Sequence, residues 1–402
     1  MRMKSGTFKK AVSFFALASV FTMAGCQKDE VLEETATAPQ EPAATSNAID
    51  GKFIVILKNG VKAQSLRERV LGTHRSASER IQNLSDGAFE GFSGSLSKAE
   101  VDLLRQDENV AYIEPEQAVM LGKPSKQTTT STTTTPLSTT TTTSTSTTST
   151  QVVPWGVARV GYGDGTGKTV WIIDSGIDIN HPDLNVDVAR SLSFISGVTS
   201  VQDGYGHGTA VAGIIGAKNN TVGVVGVAAN ASLVALRVFD NTGYGTLTRI
   251  YSALNHVYKY GKAGDVVNMS LRVNGSTLLD DLVKKTAARG IFIAIASGNS
   301  GVDCMLDSPA RVNAPNVYTV SNMDTYGKFN PSSNFGASVD FSAPGTNITS
   351  TGTGGRYLGG STGTSFAAPH LAGLLALKGT AINNQGLVVG DPDGKPDPII
   401  LK

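Results

Sequence analysis

Three polar residues stand in glycine-rich settings where side chains of their kinds can do nucleophilic chemistry. Asp174 closes the apolar run Val170-Trp171-Ile172-Ile173-Asp174-Ser175-Gly176. His207 sits in Gly206-His207-Gly208-Thr209, and Ser365 in Gly363-Thr364-Ser365-Phe366-Ala367-Ala368-Pro369-His370, each where a helix is predicted to start. A serine hydroxyl is a poor nucleophile at neutral pH. It needs an imidazole to take its proton, and the imidazole needs a buried carboxylate to fix its tautomer. A helix N-terminus at Ser365 adds backbone N–H groups and a favourable dipole for a developing oxyanion. Singly, each residue has an ordinary reading as a turn aspartate, a loop histidine or an N-cap serine. Together they make a candidate Asp-His-Ser triad.

The elements that must position these residues follow from the apolar pattern. Strands are predicted over 169–174, 233–239, 266–270 and 291–296. Helices are predicted after His207, over 247–260, over 276–289 and after Ser365. Strands alternating with helices over more than two hundred residues predict an α/β fold with a doubly wound parallel sheet. Sites in such sheets lie at the carboxyl ends of strands, where Asp174 falls. Upstream, strands at 53–57, 81–84, 89–96 and 110–113 with helices up to about 72 and over 98–105 give the order β-α-β-β-α-β, a small ferredoxin-like α+β domain. Residues 128–150 are almost entirely Thr and Ser, broken only by Pro136 and Leu137, and read as an extended linker.

The flanking sequences of the triad resemble the subtilases, the broad subtilisin and proteinase K superfamily, and that family's order is also Asp, His, Ser. The resemblance runs from Gln151 to about Lys378 and implies a serine endopeptidase acting on extended polypeptides. The segment Ala296-Ser297-Gly298-Asn299-Ser300-Gly301 resembles the stretch whose Asn donates to the oxyanion, which implies that role for Asn299 beside the Ser365 backbone N–H. Val267-Asn268-Met269-Ser270-Leu271 and Gly243-Tyr244-Gly245 resemble the two cleft walls that take substrate as an added strand. The implied substrate-binding residues are Gly243, Gly245, Ser270, Leu271, Ser297 and Gly298. Arg272 stands where the family usually has Gly, and Phe366 where it often has Met. Asp307 reads first as an exposed loop carboxylate and second as an approach to the floor of the substrate pocket.

The resemblance also implies a calcium site, with side-chain oxygens of Gln151, Asp183 and Asn220 and carbonyls of Lys218, Val222 and Val224, an oxygen set suited to that ion. Some relatives pair a Cys near Cys304 with one near position 338, where this chain has Ser338. Residues 52–121 resemble the family's inhibitory propeptide, with Tyr112-Ile113-Glu114-Pro115-Glu116 as its docking end. Two cut sites stay open, after Leu121 and near Thr150-Gln151.

The first residues read as an export signal, with basic Arg2, Lys4, Lys9 and Lys10 before a short apolar run. Met23-Ala24-Gly25-Cys26 resembles a bacterial lipobox, which implies lipidation of Cys26 and anchoring in the outer membrane or at the cell surface. The expected division is a signal peptide over 1–25, a tether over 26–50, an inhibitory domain over 51–121, a linker over 122–150, a peptidase domain over 151–380 and a tail over 381–402. Of 402 residues, 40% are hydrophobic and 17% charged, and a formal charge of +1 gives no reason to expect nucleic acid as a partner. Two cysteines rule out a disulfide framework. The five histidines form no His-Glu-x-x-His pair, and Gly363-Thr364-Ser365-Phe366-Ala367 fails the Gly-x-Ser-x-Gly pattern of esterases. The expected partners are polypeptide substrates, the chain's own propeptide and, through Cys26, a membrane, with the enzyme monomeric. A degenerate subtilase serving as a surface binding protein is the rival reading.

Overall fold

In the strand Ala48–Leu57, the run Ile54-Val55-Ile56-Leu57 is buried throughout. Successive side chains of a strand point to opposite faces, and here both faces are covered. Val55 and Leu57 pack with Leu66, Phe92, Val101 and Leu104 in the small domain's own core. Ile54 and Ile56 instead join a cluster containing Tyr251, Leu254 and Leu278 of the large domain. An unbroken apolar run, rather than an alternating one, is the sequence mark of a strand buried on both sides. The computed structural model that gives these contacts describes residues 47–58, 60–71, 81–84, 87–122 and 151–402. The signal sequence, Cys26, most of the tether and residues 123–150 of the linker lie outside it.

The described elements of the small domain follow the expected β-α-β-β-α-β order. Helix Lys98–Arg105 has the predicted limits, set by a capping box. Ser97 Oγ accepts from Glu100 N at 3.3 Å, and the Glu100 carboxylate accepts from Ser97 N at 2.6 Å. The last strand is longer than its apolar part. It runs Val110–Met120, pairs antiparallel with Ala48–Leu57, and continues along Tyr244–Thr246 of the large domain.

The large domain is built on a nine-stranded sheet in the order Asn383–Leu387, Pro398–Leu401, Val339–Pro344, Val317–Met323, Phe292–Ala296, Val266–Met269, Thr169–Asp174, Ser232–Arg237, Leu192–Ser193. All neighbours are parallel except the first pair. Helices cover both faces. Trp171 and Ile173 pack toward Leu247–Tyr260 and Thr277–Ala287, while Val170 and Ile172 pack toward His207–Gly216 and Thr364–Lys378. This is the doubly wound α/β fold. Residues 381–402, expected as a tail, contribute two strands to this sheet.

Candidate active site

Asp174 ends the central strand Thr169–Asp174, and His207 is the first residue of helix His207–Gly216. The two meet because the helix comes very close to the strand end. A Cβ on Gly208 would lie 2.1 Å from the Gly176 carbonyl oxygen and 3.1 Å from Asp174 Cβ, so only glycine fits there. His207 Nδ1 lies 2.9 Å from both carboxylate oxygens of Asp174. Both side chains are buried. Burial pulls the imidazole pKa down, but the charge and hydrogen bond of Asp174, with Asp203 behind it, outweigh that and hold it above 6.5.

Ser365 is the second residue of helix Thr364–Lys378, half-buried at the floor of a cleft. Its Oγ donates to the Ser270 carbonyl at 3.2 Å. Phe366 beside it packs on the His207 ring with centroids 5.6 Å apart. Asn299 is exposed to the same cleft. Its Oδ1 accepts from Thr364 N at 2.8 Å and from Thr364 Oγ1 at 3.0 Å, which fixes the amide and leaves its two N–H donors for another acceptor.

Two residues in this neighbourhood were not singled out from the sequence. Asp203 is almost fully buried and accepts from Ser175 Oγ, Tyr205 N, Gly206 N, Thr209 N and Thr209 Oγ1, at 2.6–3.0 Å. It ties the loop before His207 to the residue after Asp174. Tyr205 donates its hydroxyl to the Leu121 carbonyl at 2.9 Å. Both lie in Asp203-Gly204-Tyr205-Gly206-His207, four and two residues before the histidine, and that proximity is the signal that could have found them.

The small domain's end occupies the cleft. Val119 pairs with Gly245, Met120 with Tyr244, and Leu121 N donates to Gly243 O at 3.0 Å. Gly122 then enters a cavity of about 220 Å³ shared with Ser365, Asn299, Leu271 and Gly298. The Leu121 carbonyl accepts from Tyr205, and Leu121 and Gly122 both line this cavity. Of the expected substrate-binding residues, Gly243, Gly245, Ser270, Leu271 and Gly298 lie along the tail or the cavity. Ser297 does not, because it is fully buried with its hydroxyl donating to Asn334 O at 2.9 Å.

The docking segment fastens two large-domain helices. Glu114 accepts from Ser276 Oγ at 2.5 Å and Leu278 N at 2.8 Å, at the start of Thr277–Ala287. Glu116 accepts from Thr248 N at 3.0 Å, at the start of Leu247–Tyr260. Tyr112 donates to Asp281. Carboxylates suit helix N-termini because unpaired N–H groups and the positive end of the dipole converge there.

Asp307 is not an exposed loop residue. It is buried, with one oxygen accepting from Arg272 at 2.7 Å and the other from Asn334 Nδ2 at 3.0 Å. Cys304 is a buried free thiol 3.2 Å from Ser338 Oγ, and burial pushes its pKa up to about 11.

The residues expected to hold calcium also converge. Gln151 Nε2 lies 2.8 Å from Lys218 O and 3.3 Å from each of Asn220 Oδ1, Val222 O and Val224 O. Asp183 adjoins them, accepting from Asn220 Nδ2 at 2.8 Å and Val224 N at 3.0 Å. Four acceptors crowd one amide nitrogen that carries two hydrogens, so oxygen exceeds what the amide can satisfy. That donor chemistry fits a hard cation. Among the described residues, no group of three or more His, Cys, Asp and Glu is gathered for a metal, and this set has a single carboxylate.

Comparison with known proteins agrees with this geometry. The subtilase family model matches residues 165–388, and the peptidase inhibitor I9 model matches residues 52–122. Subtilisin NAT of Bacillus subtilis subsp. natto is 32% identical over 378 residues, covering 90% of this chain and 86% of its own length. A cuticle-degrading protease of Metarhizium anisopliae is 31% identical over 356 residues, covering 84% of this chain and 82% of its own. The crystal structure of a cold adapted subtilisin-like serine proteinase superposes with a TM-score of 0.55 at 32% identity, over 61% of this chain and 97% of that one.

Proposed function

The chain belongs to the subtilase family of serine proteases and carries an I9-type inhibitor domain, and from that premise we propose that Asp174, His207 and Ser365 are its catalytic triad. The observation that carries this is the buried His207–Asp174 pair, with Phe366, the neighbour of Ser365, packed on the His207 ring. Asp174 holds the Nδ1–H tautomer and leaves Nε2 free as a base. Ser365 Oγ leaves the Ser270 carbonyl, passes its proton to Nε2 and attacks the substrate carbonyl. Asn299 Nδ2 and the Ser365 backbone N–H receive the oxyanion. The imidazolium then protonates the leaving amine, and water, deprotonated by the same imidazole, hydrolyses the acyl-serine. Substrate enters as a strand on Gly243–Gly245, as the chain's own tail does.

On this reading the first cut falls between Gly122 and Lys123, and the mature N-terminus is later trimmed toward Gln151 or keeps the Thr/Ser-rich arm. Calcium would be held by Gln151, Asp183, Lys218, Asn220, Val222 and Val224, where it would supply structural cross-linking only. The segment before Cys26 directs export, and lipidation of Cys26 anchors the unprocessed chain to a membrane at the cell surface or outer membrane. Cleavage then frees the monomeric catalytic domain unless the propeptide stays bound. A fluorophosphonate probe should label purified enzyme at Ser365, and Ser365→Ala should lose both labelling and processing. A folded chain that neither takes the label nor processes itself would support the rival reading of a degenerate binding protein.

A further inference from the structure

Arg272 crosses the cavity that Gly122 enters. The cavity's two walls are the chain at Ser270–Arg272 and the chain at Ala296–Gly298. A Cβ built on Gly298 would lie 3.5 Å from Arg272 Cδ, so the arginine stem reaches from one wall to the other. Beyond it the guanidinium meets Asp307 at 2.7 Å. The aspartate side chain is 6% exposed and the arginine 44%, and Asn334, lying under Gly298, pins the second carboxylate oxygen. Gly122 of the chain's own tail lines the same cavity, and a Cβ added to it meets nothing within 4 Å, which leaves room for a small side chain.

We propose that the Arg272–Asp307 pair floors the pocket for the residue before the cut and restricts that residue to small uncharged side chains such as Gly, Ala and Ser. This rests on the protease reading and adds the substrate class to it. A long apolar side chain must push the guanidinium off its carboxylate, leaving a buried charge without its partner. A lysine side chain finds Asp307 already neutralised. A glutamate side chain meets the Asp307 carboxylate across the same guanidinium.

The test is a series of peptide p-nitroanilides, identical except for Ala, Phe, Lys or Glu at the last residue, hydrolysed by processed enzyme. The wild type should favour Ala over each of the others by roughly tenfold or more in kcat/KM, as steric and unpaired-group discrimination commonly gives. Arg272→Gly should raise the Phe-to-Ala and Lys-to-Ala ratios roughly tenfold, the second because Asp307 is unmasked. Arg272→Gly with Asp307→Asn should keep the gain on Phe and lose the gain on Lys. A wild-type preference for Phe, Lys or Glu overturns the proposal, as do unchanged ratios in Arg272→Gly. The wild-type profile decides the matter even if the variants fail to fold. Hydrolysis of none of the substrates by a folded chain that also fails to process itself counts against the protease reading instead.

Discussion

Ser270 and Ser365 exchange two hydrogen bonds. Ser270 Oγ donates to the Ser365 carbonyl at 2.9 Å, and Ser365 Oγ donates to the Ser270 carbonyl at 3.2 Å. Pro369 accounts for the first. Having no N–H, it cannot bond the carbonyl four residues back in its helix, which is that of Ser365. Ser270 satisfies the orphan and thereby fastens the helix start to the cleft wall.

Ser270→Ala should therefore leave the Ser365 carbonyl without its donor and loosen the nucleophile's position. A partly buried acceptor left unpaired costs about 1–3 kcal/mol. We expect a lower thermal midpoint and a kcat reduced roughly tenfold with a smaller change in KM. Steady-state kinetics and thermal unfolding check both. Unchanged kcat would mean that this exchange does not position Ser365.

His207 should titrate above 6.5, since the Asp174 charge and hydrogen bond override the effect of burial. A base must be neutral to accept a proton, so activity should be lost as pH falls through that value. Ser365→Ala protein allows the imidazole to be titrated by NMR without autolysis. Adding Asp174→Asn should move the midpoint down, because burial then acts with less opposition. A midpoint at or below 6.5 with Asp174 intact would reject this account.

The candidate triad was legible because its three members, ordinary when taken singly, sit in short glycine-rich patterns whose order along the chain is Asp, His, Ser. What escaped depends on partners far along the chain. The strand read as ending at Ile113 runs on to Met120 through Glu114-Pro115-Glu116-Gln117, a polar stretch that looks like loop until Ala48–Leu57 supplies its pairing, and Tyr244–Thr246 then pairs with Ala118–Met120. Asn383–Leu387 is polar and becomes a strand only against Pro398–Leu401. Asp307 looked exposed because a lone carboxylate is rarely buried. Arg272 and Asn334, thirty-five residues before it and twenty-seven after, make its burial tolerable.

Calcium removal should destabilise the folded enzyme if the oxygens around Gln151 hold the ion. An ion at about 100 times its dissociation constant stabilises the folded state by about 2.7 kcal/mol. For a domain of this size that corresponds to roughly 5–10 °C in thermal midpoint. Chelator added to Ser365→Ala protein should lower the midpoint by that order, and Asp183→Ala should start low and respond little. Equal midpoints with calcium and with chelator would exclude a stabilising site there.

Release of the inhibitor domain should depend on pH through Glu114 and Glu116. Docking desolvates both, and this raises their pKa values above 4.5 despite the opposing hydrogen bonds from Ser276 and Leu278 to the first and from Thr248 to the second. A carboxyl whose pKa is raised on binding takes up protons when it binds. The propeptide should therefore bind most tightly near and below pH 4.5, and its affinity should fall as pH rises through the two bound-state values. Each carboxyl contributes a slope of up to about tenfold per pH unit in that window. Glu114→Gln and Glu116→Gln keep an acceptor for the helix N–H groups but cannot titrate, so each should flatten the pH dependence. Glu114→Ala removes the acceptor as well and should weaken binding by about 1 kcal/mol at every pH. Inhibition constants of the isolated propeptide against processed enzyme, measured from pH 5 to pH 8, give all of these slopes. A wild-type slope that survives in the double Gln variant would place the pH dependence in other groups.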